Sequence, residues 1–295
     1  MTDAPPKSSD YETAAATAST TVAEFELHGG FLTRVQPTLH QNPALGPLIV
    51  LVLSVIVFAL LLGSTFFSPF ALTLILQQVA IVGIVACAQS LVILTAGIDL
   101  SVGAIMVFSS VIMGQFTFRY GLPVEISVAC GLVFGTAIGA LNGWLVAAMK
   151  LPPFIVTLGM WQIVLAANFL YSANETIRSQ DIAEQAPFLQ FMGSKFNIGG
   201  AVFTFGVVFM VLLVIVLAYA LRHTAWGRHV YAVGDDPEAA ELSGVDVKRT
   251  LISVYALAGL ICGFAGWALI GRIGSVSPTS GQLLNIESIT AVVIG

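Results

Sequence analysis

The chain reads as a series of long apolar runs separated by short polar connections. Runs over 47–67, 72–95, 102–118, 126–149, 154–172, 201–221 and 251–271 are almost free of charge. A helix rises about 1.5 Å per residue and the hydrocarbon core of a bilayer is about 30 Å thick, so runs of about 20 residues are long enough to cross it. The runs do not alternate residue by residue, which argues against a membrane β-barrel. The pattern predicts an all-α, polytopic transmembrane helical bundle of about seven complete spans. An eighth apolar run opens near Ile286 and holds ten residues to Gly295. It is too short to cross alone, so the pattern predicts that it is the truncated start of a further span.

Composition agrees with this reading. Of 295 residues, 57% are hydrophobic and 9% charged, against about one quarter charged in soluble domains. The mean hydropathy is +0.93. Residues 1–46 differ, being rich in Ala, Thr, Ser and acidic side chains. They lack a basic stretch followed by an apolar core, so they read as a largely disordered cytoplasmic tail before a transmembrane domain over 47–295, not as a signal peptide. Cys87, Cys130 and Cys262 all fall inside apolar runs and are expected to be buried structural thiols.

Lysine and arginine near the span ends set orientation. With the N-terminus inside, inner connections carry Arg34, Lys150, Arg222, Arg228, Lys248 and Arg249, and outer ones carry Arg119, Arg178, Lys195 and Arg272. The difference is small, and the hydrophilic segment 222–250 decides it in favour of a cytoplasmic N-terminus.

Polar and small residues inside the spans are the candidates for chemistry. Gly131, Gly135, Gly139 and Gly143 recur every fourth residue, so they share one helix stripe and let a neighbouring helix approach closely. They serve helix packing or a sliding surface. Gly259, Gly263 and Gly266 repeat the device more loosely. Gln78 and Gln89 are separated by nearly three turns. Thr157, Trp161, Asn168 and Ser172 also follow helical spacing. Polar groups facing lipid are costly, so these faces are expected to point inward. They serve hydrogen bonding between helices, or Gln78, Gln89, Thr157, Trp161 and Asn168 line a translocation path for a neutral polyhydroxylated solute, for which indole and amide groups are suited. Gly97, Asp99 and Ser101 precede the third span as a helix cap or as a re-entrant, gating turn. A faint echo, Ile–acid–Ser, recurs at Ile286, Glu287 and Ser288. It suits an inverted repeat or chance.

No span interior carries Lys, Arg, Asp or Glu clear of its ends, which weighs against a proton relay, a voltage sensor or an ion-coupled carrier. No phosphate-cradling glycine loop occurs, and His28, His40, His223 and His229 lack metal-ligand spacing. No nucleophile–base pair suggests an intramembrane enzyme. The segment 222–250 reads RHTAWGRHVYAVGDDPEAAELSGVDVKRT. Asp236 suits an N-cap, Pro237 a first turn and Gly244 a helix end, which predicts a short helix over 237–243. Ala239 and Ala240, flanked by Glu238 and Glu241, suit either a solvated loop or a helix that seats in a partner's groove.

LTAGIDLSVGAI (94–105), LPPFIVTLGM (151–160), GRHVYAVGDDPEAAELSGVDVKR (227–249) and GRIGSVSPTSGQ with IESITAVVIG (271–295) resemble the membrane permease subunits of bacterial ABC monosaccharide importers. This is the ribose, xylose and fructose group, with the wording nearest the fructose type. The resemblance implies an inner-membrane permease without catalytic residues or a cofactor of its own. Two copies of the permease would form the pathway, and a periplasmic sugar-binding protein would deliver the solute. ATPase subunits, which would bind ATP and magnesium, would dock on the EAA-type coupling loop: Gly234, Asp236, Pro237, Glu238, Ala239, Ala240, Glu241 and Gly244. The alternative is a stand-alone secondary carrier or channel. Nucleic acid is not an expected partner.

Overall fold

The structure, a computed structural model, describes residues 45–198, 201–281 and 284–294. All but the last two residues of the expected N-terminal tail lie outside them. Two compact units divide at Val55. Helix α1, Leu45–Leu62, begins in the first, and none of its residues is buried.

The second unit is a helical bundle with one small hairpin. Its elements are α2 (Pro69–Ile93), α3 (Val102–Phe118), α4 (Val124–Met149), α5 (Pro153–Ser172), α6 (Ser179–Gln185), β1 (Lys195–Ile198), β2 (Ala201–Thr204), α7 (Phe205–His223), α8 (Ala225–Asp235), α9 (Pro237–Leu242), α10 (Val247–Ile273) and α11 (Leu284–Ile294). Six helices among the described residues, α1, α2, α4, α5, α7 and α10, are long and apolar enough to cross a membrane. The seventh expected span, α3, has 17 residues and lies at the lower limit of a crossing. It is also the most enclosed, with every residue from Val102 to Gln115 buried.

Helices α3 and α10 form the centre. Helix α10 packs along α4, and both touch α3. The α4 glycines explain the close approach. A Cβ on Gly135 would stand 2.7 Å from the Gly259 carbonyl oxygen, and one on Gly143 would stand 2.8 Å from the Ile252 Cα. On Gly139 it would strike the Tyr255 carbonyl, and on Gly259 it would strike that of Gly135. The two backbones therefore touch where side chains would otherwise keep helices about 8–10 Å apart. Gly131 faces Met113 and the Ser109 carbonyl, and Gly266 sits on the Met106 carbonyl, so the small residues also seat α3. By contrast, Val211, Leu212 and Ile215 of α7 are exposed, an apolar face suited to lipid.

Three expectations about the elements are corrected. The apolar run over 201–221 opens as a strand: β1 and β2 pair antiparallel, with Lys195 opposite Thr204, before the helix starts at Phe205. The run's β-branched and aromatic start pairs with the preceding residues instead of continuing the helix. Of the cysteines, only Cys262 is buried, while Cys87 and Cys130 are partly exposed; all three are free thiols. The connection 222–250 is more ordered than a single short helix, since α8 fills its first half.

Connections on the same side of the bundle touch one another. Ile177 bridges Val276, and Gln190 Nε2 donates to the Gly274 carbonyl at 2.8 Å. At the other end Trp226 Nε1 donates to Ser253 Oγ at 2.8 Å, and Gly234 rests against the Leu94 carbonyl.

Candidate functional site

The eight residues between α2 and α3 build a turn in which Thr95, Gly97, Asp99 and Ser101 are buried and Ala96 and Ile98 are exposed. Ala96 takes a left-handed conformation, φ 56°, which few non-glycine residues adopt. Gly97 has no space for a side chain, because a Cβ would stand 2.8 Å from the Tyr255 hydroxyl. Asp99 follows, 1% exposed. Its Oδ1 accepts from Ser101 N at 2.7 Å and from Ser101 Oγ at 2.6 Å. Ser101 Oγ in turn accepts from Asn142 Nδ2 of α4 at 2.9 Å. The expected cap at Ser101 takes a different form: its side chain bonds no amide of the first turn and joins Asp99 to Asn142 instead. A carboxylate so deeply buried has lost most of its hydration, and these donors replace part of it.

The first turn of α3 is satisfied from far away in the chain. Gly103 N donates to Asn285 Oδ1 of α11, 182 positions on. Only glycine fits there, because a Cβ on Gly103 would strike the Asn285 side chain. The two stretches that carry the Ile–acid–Ser echo thus meet at the start of α3. The path of the chain explains how. After α10 the segment 274–281 leaves the Ile177 bridge and passes Asn168, whose Nδ2 donates to the Pro278 carbonyl at 2.9 Å. Gly281, with φ 74°, then turns it toward Met106 and Leu284.

A cavity of about 230 Å³ lies where these elements converge. Gly103 and Ala104 of α3, Trp161 and Asn168 of α5, Gly281, and Asn285 of α11 are among its walls. Among the described residues, no ionisable side chain lines it. Asn168 is 1% exposed, and among the described residues its buried Oδ1 has no hydrogen-bond partner, a condition that costs about 1–3 kcal/mol for a buried polar atom.

Of the polar residues expected to share a path, only Trp161 and Asn168 meet at this cavity. Thr157 is fully buried and donates to the Ile98 and Pro153 carbonyls, both at 3.0 Å, so it ties α5 to the turn before α3. Ser172 is buried at the end of α5. Gln78 is exposed, whereas Gln89 is fully buried with both amide atoms unpartnered among the described residues. Helical spacing put them on one face, but the elements covering α2 change along its length. The sequence pattern points to Asn285 only as the start of the echo at 286–288, and not to Gly103, Asn142 or Gly281. They are small or amide residues without local periodicity, and their partners are distant in sequence.

At the opposite pole the sequence places α9 by local rules. Asp236 Oδ1 accepts from Glu238 N at 2.9 Å and Ala239 N at 3.0 Å, with Pro237 in the first turn. The helix ends at Leu242, one residue earlier than expected, and Gly244 follows with φ 86°. Ala240 points inward and is buried, while Glu238, Ala239 and Glu241 are exposed. Leu242, which sequence reasoning passed over, is 91% exposed. Gly234 closes α8 onto the end of α2, where a Cβ would strike the Leu94 carbonyl. This contact joins the loop that carries α9 to the helix that enters the Asp99 turn.

Residues 71–295, nearly the whole helical bundle, match the family described as branched-chain amino acid transport system / permease component. The chain belongs to this permease family. It is 70% identical over 289 residues to fructose import permease protein FrcC of Rhizobium meliloti, covering 98% of this chain and 80% of that protein. It is 34% identical over 237 residues to ribose import permease protein RbsC of Escherichia coli K12, covering 79% and 71%. To xylose transport system permease protein XylH of the same strain it is 30% identical over 274 residues, covering 75% and 70%. No solved structure matches the chain. The expected resemblance to permeases of monosaccharide importers is borne out by these relatives, and the permease is a multi-pass membrane protein.

Proposed function

We propose that the permease is the membrane-spanning subunit of an ATP-driven importer that carries fructose, or a closely similar monosaccharide, across the bacterial inner membrane. The observation that carries this is the 70% identity to a fructose import permease along 98% of the chain. Identity of that order over 289 residues supports a common solute and not only a common fold.

The mechanism has this chain as the driven part. ATP and magnesium belong to partner ATPases, and no chemical step occurs on the permease itself. With the N-terminus in the cytoplasm, α8 and α9 lie on the cytoplasmic side. Exposed Leu242 then offers an apolar anchor and Glu238 and Glu241 offer charge to a docking partner, the usual division between a hydrophobic centre and a polar rim. Movement of α9 passes to α2 through the seat of Gly234 on Leu94 and from there to the Asp99 turn. Differential affinity of ATP for two arrangements of the ATPases supplies the shift between inward and outward access. A second permease copy completes the pathway, and a periplasmic sugar-binding protein delivers the solute.

The test is uptake of radiolabelled fructose in cells whose only fructose importer is this system. Concentrative uptake is expected to stop when the ATPase subunit carries a disabled catalytic site. Undiminished uptake would identify a stand-alone carrier. Leu242→Asp and Glu238→Lys are expected to lower uptake at least tenfold with the permease still in the membrane. Full uptake by both would overturn the docking assignment.

A further inference from the structure

We infer that a polar recess between α2, α7 and α10, beneath the β1–β2 hairpin, binds the phosphate group of an anionic phospholipid. The recess holds about 80 Å³, room for a few water-sized groups. Two glycines bring its cations together. A Cβ on Gly193 would strike the Gly271 carbonyl, and one on Gly271 would strike Gly193 N, so the two backbones touch there. Lys195 and Arg272 follow these glycines along the chain, and both line the recess. Neither has an ion-pair partner among the described residues, and among them no carboxylate lines the recess. Two like charges on one small space repel each other until an anion lies between them. Uncharged donors complete the set. Thr204 is 5% exposed and stands at the start of α7, yet its hydroxyl caps no amide of that helix and has no other partner among the described residues. Gly206, in the first turn, lines the recess with an N–H that no helical carbonyl can accept. Guanidinium, ammonium, hydroxyl and helix N-terminus are together the donors that a phosphate takes.

The surroundings point to a lipid as the source of that phosphate. The three helices around the recess are all long and apolar enough to cross a membrane, and Gly206 and Arg272 lie at the ends of two of them. That is the depth of the headgroups, where basic pockets between spans take up anionic lipids. Helix α7 runs from the recess to α8, so the recess is at the end of the bundle away from α9. The hairpin provides for the rest of the lipid. Lys195 pairs with Thr204, and Phe196 pairs with Phe203. Successive side chains of a strand point to opposite faces, so the polar pair serves the recess and the aromatic pair the other side. There Phe196 and Phe203 head a shallow apolar groove along α7 that includes Val208, Val211, Leu212 and Ile215. All four of these aliphatic residues are exposed. A soluble anion gains nothing from such a groove, whereas an acyl chain buries it. One phospholipid therefore sits astride the hairpin, with its phosphate in the recess and a chain in the groove.

The experiment uses the whole chain, purified in a non-ionic detergent, stripped of lipid and titrated with phosphatidylglycerol. The bound fraction is read by native mass spectrometry. Lys195→Gln combined with Arg272→Gln is expected to weaken binding at least tenfold. Arg178→Gln, at the same end of the bundle but outside the recess, is expected to weaken it less than twofold. Diacylglycerol with the same chains lacks the phosphate and is expected to bind at least tenfold more weakly. Equal affinities for wild type and the double variant, or for phosphatidylglycerol and diacylglycerol, would overturn the site. Inorganic phosphate at millimolar concentration is expected to displace less than half of the bound lipid, because it cannot fill the groove. Complete displacement would assign the recess to a soluble anion and overturn the lipid. Both substituted cations are exposed, so the thermal midpoint of the lipid-free double variant is expected to match wild type. Should that variant not survive purification, Thr204→Val decides. It removes the hydroxyl at nearly constant volume and keeps both charges, and it is expected to weaken phosphatidylglycerol binding at least threefold. Unchanged binding by Thr204→Val would overturn the site.

Discussion

Adding one methyl group at Gly135 tests whether backbone contact between α4 and α10 holds this bundle together. The new Cβ would lie 2.7 Å from the Gly259 carbonyl oxygen and 2.9 Å from Ser109 Oγ. Ordinary contact begins near 3.4 Å, so α10 must retreat by about 0.7 Å at Gly259. The serine can rotate away, but the carbonyl belongs to a helix ladder and cannot move alone. Overpacking of this kind costs about 1–3 kcal/mol. Alanine regains up to about 1 kcal/mol of helix propensity over glycine, which leaves a net loss of up to about 2 kcal/mol. Gly159 of α5 is the control, because a Cβ there meets nothing within 4 Å. Only the propensity gain applies to it. Purified permease in detergent is heated and the fraction remaining monodisperse is followed by size-exclusion chromatography. Gly135→Ala is expected to lower the midpoint by several degrees, at about 2–4 °C per kcal/mol, and Gly159→Ala to leave it unchanged or raised. Gly135→Leu, with three more carbons against the same carbonyl, is expected to abolish the folded species. Equal midpoints for Gly135→Ala and wild type would refute the claim that the glycine stripe sets the helix separation.

Two further outcomes follow from the polar contacts. Asp99→Ala leaves Ser101 N without its acceptor and removes the end of the chain through Asn142, so the same assay is expected to show a loss of about 2–4 kcal/mol, while Asp99→Asn, which retains a carbonyl acceptor, loses less than half of that; equal losses would show that the charge and not the hydrogen bonds matters. Asp236→Ala removes the acceptor for Glu238 N and Ala239 N and costs about 1 kcal/mol locally, so hydrogen exchange over 237–242 is expected to quicken about fivefold with the midpoint unmoved; unaltered exchange would count against the cap.

Local rules made much of this protein legible in its sequence. Uninterrupted apolar runs identified the spans, because lipid leaves a backbone no partner but its own helix. The four-residue spacing of Gly131 to Gly143 foretold a stripe of close approach, since helical periodicity alone decides which residues share a face. Asp236, Pro237 and Gly244 marked a short helix through interactions spanning at most eight residues. Tertiary structure decided the rest. That Asn285 satisfies Gly103, and that Asn168 meets Pro278, depends on contacts across 182 and 110 positions, for which no short-range pattern exists. Gln78 and Gln89 have the same helical phase and opposite fates because burial depends on what covers a helix, not on its own period. Strand β2, Ala201–Thr204, takes the start of an apolar run that hydropathy alone reads as continuous helix. The sequence thus determined which segments enter the membrane, where the solvent is the same for every residue of a run. Which polar groups meet inside it was decided by the crossing of α3, α5 and α11.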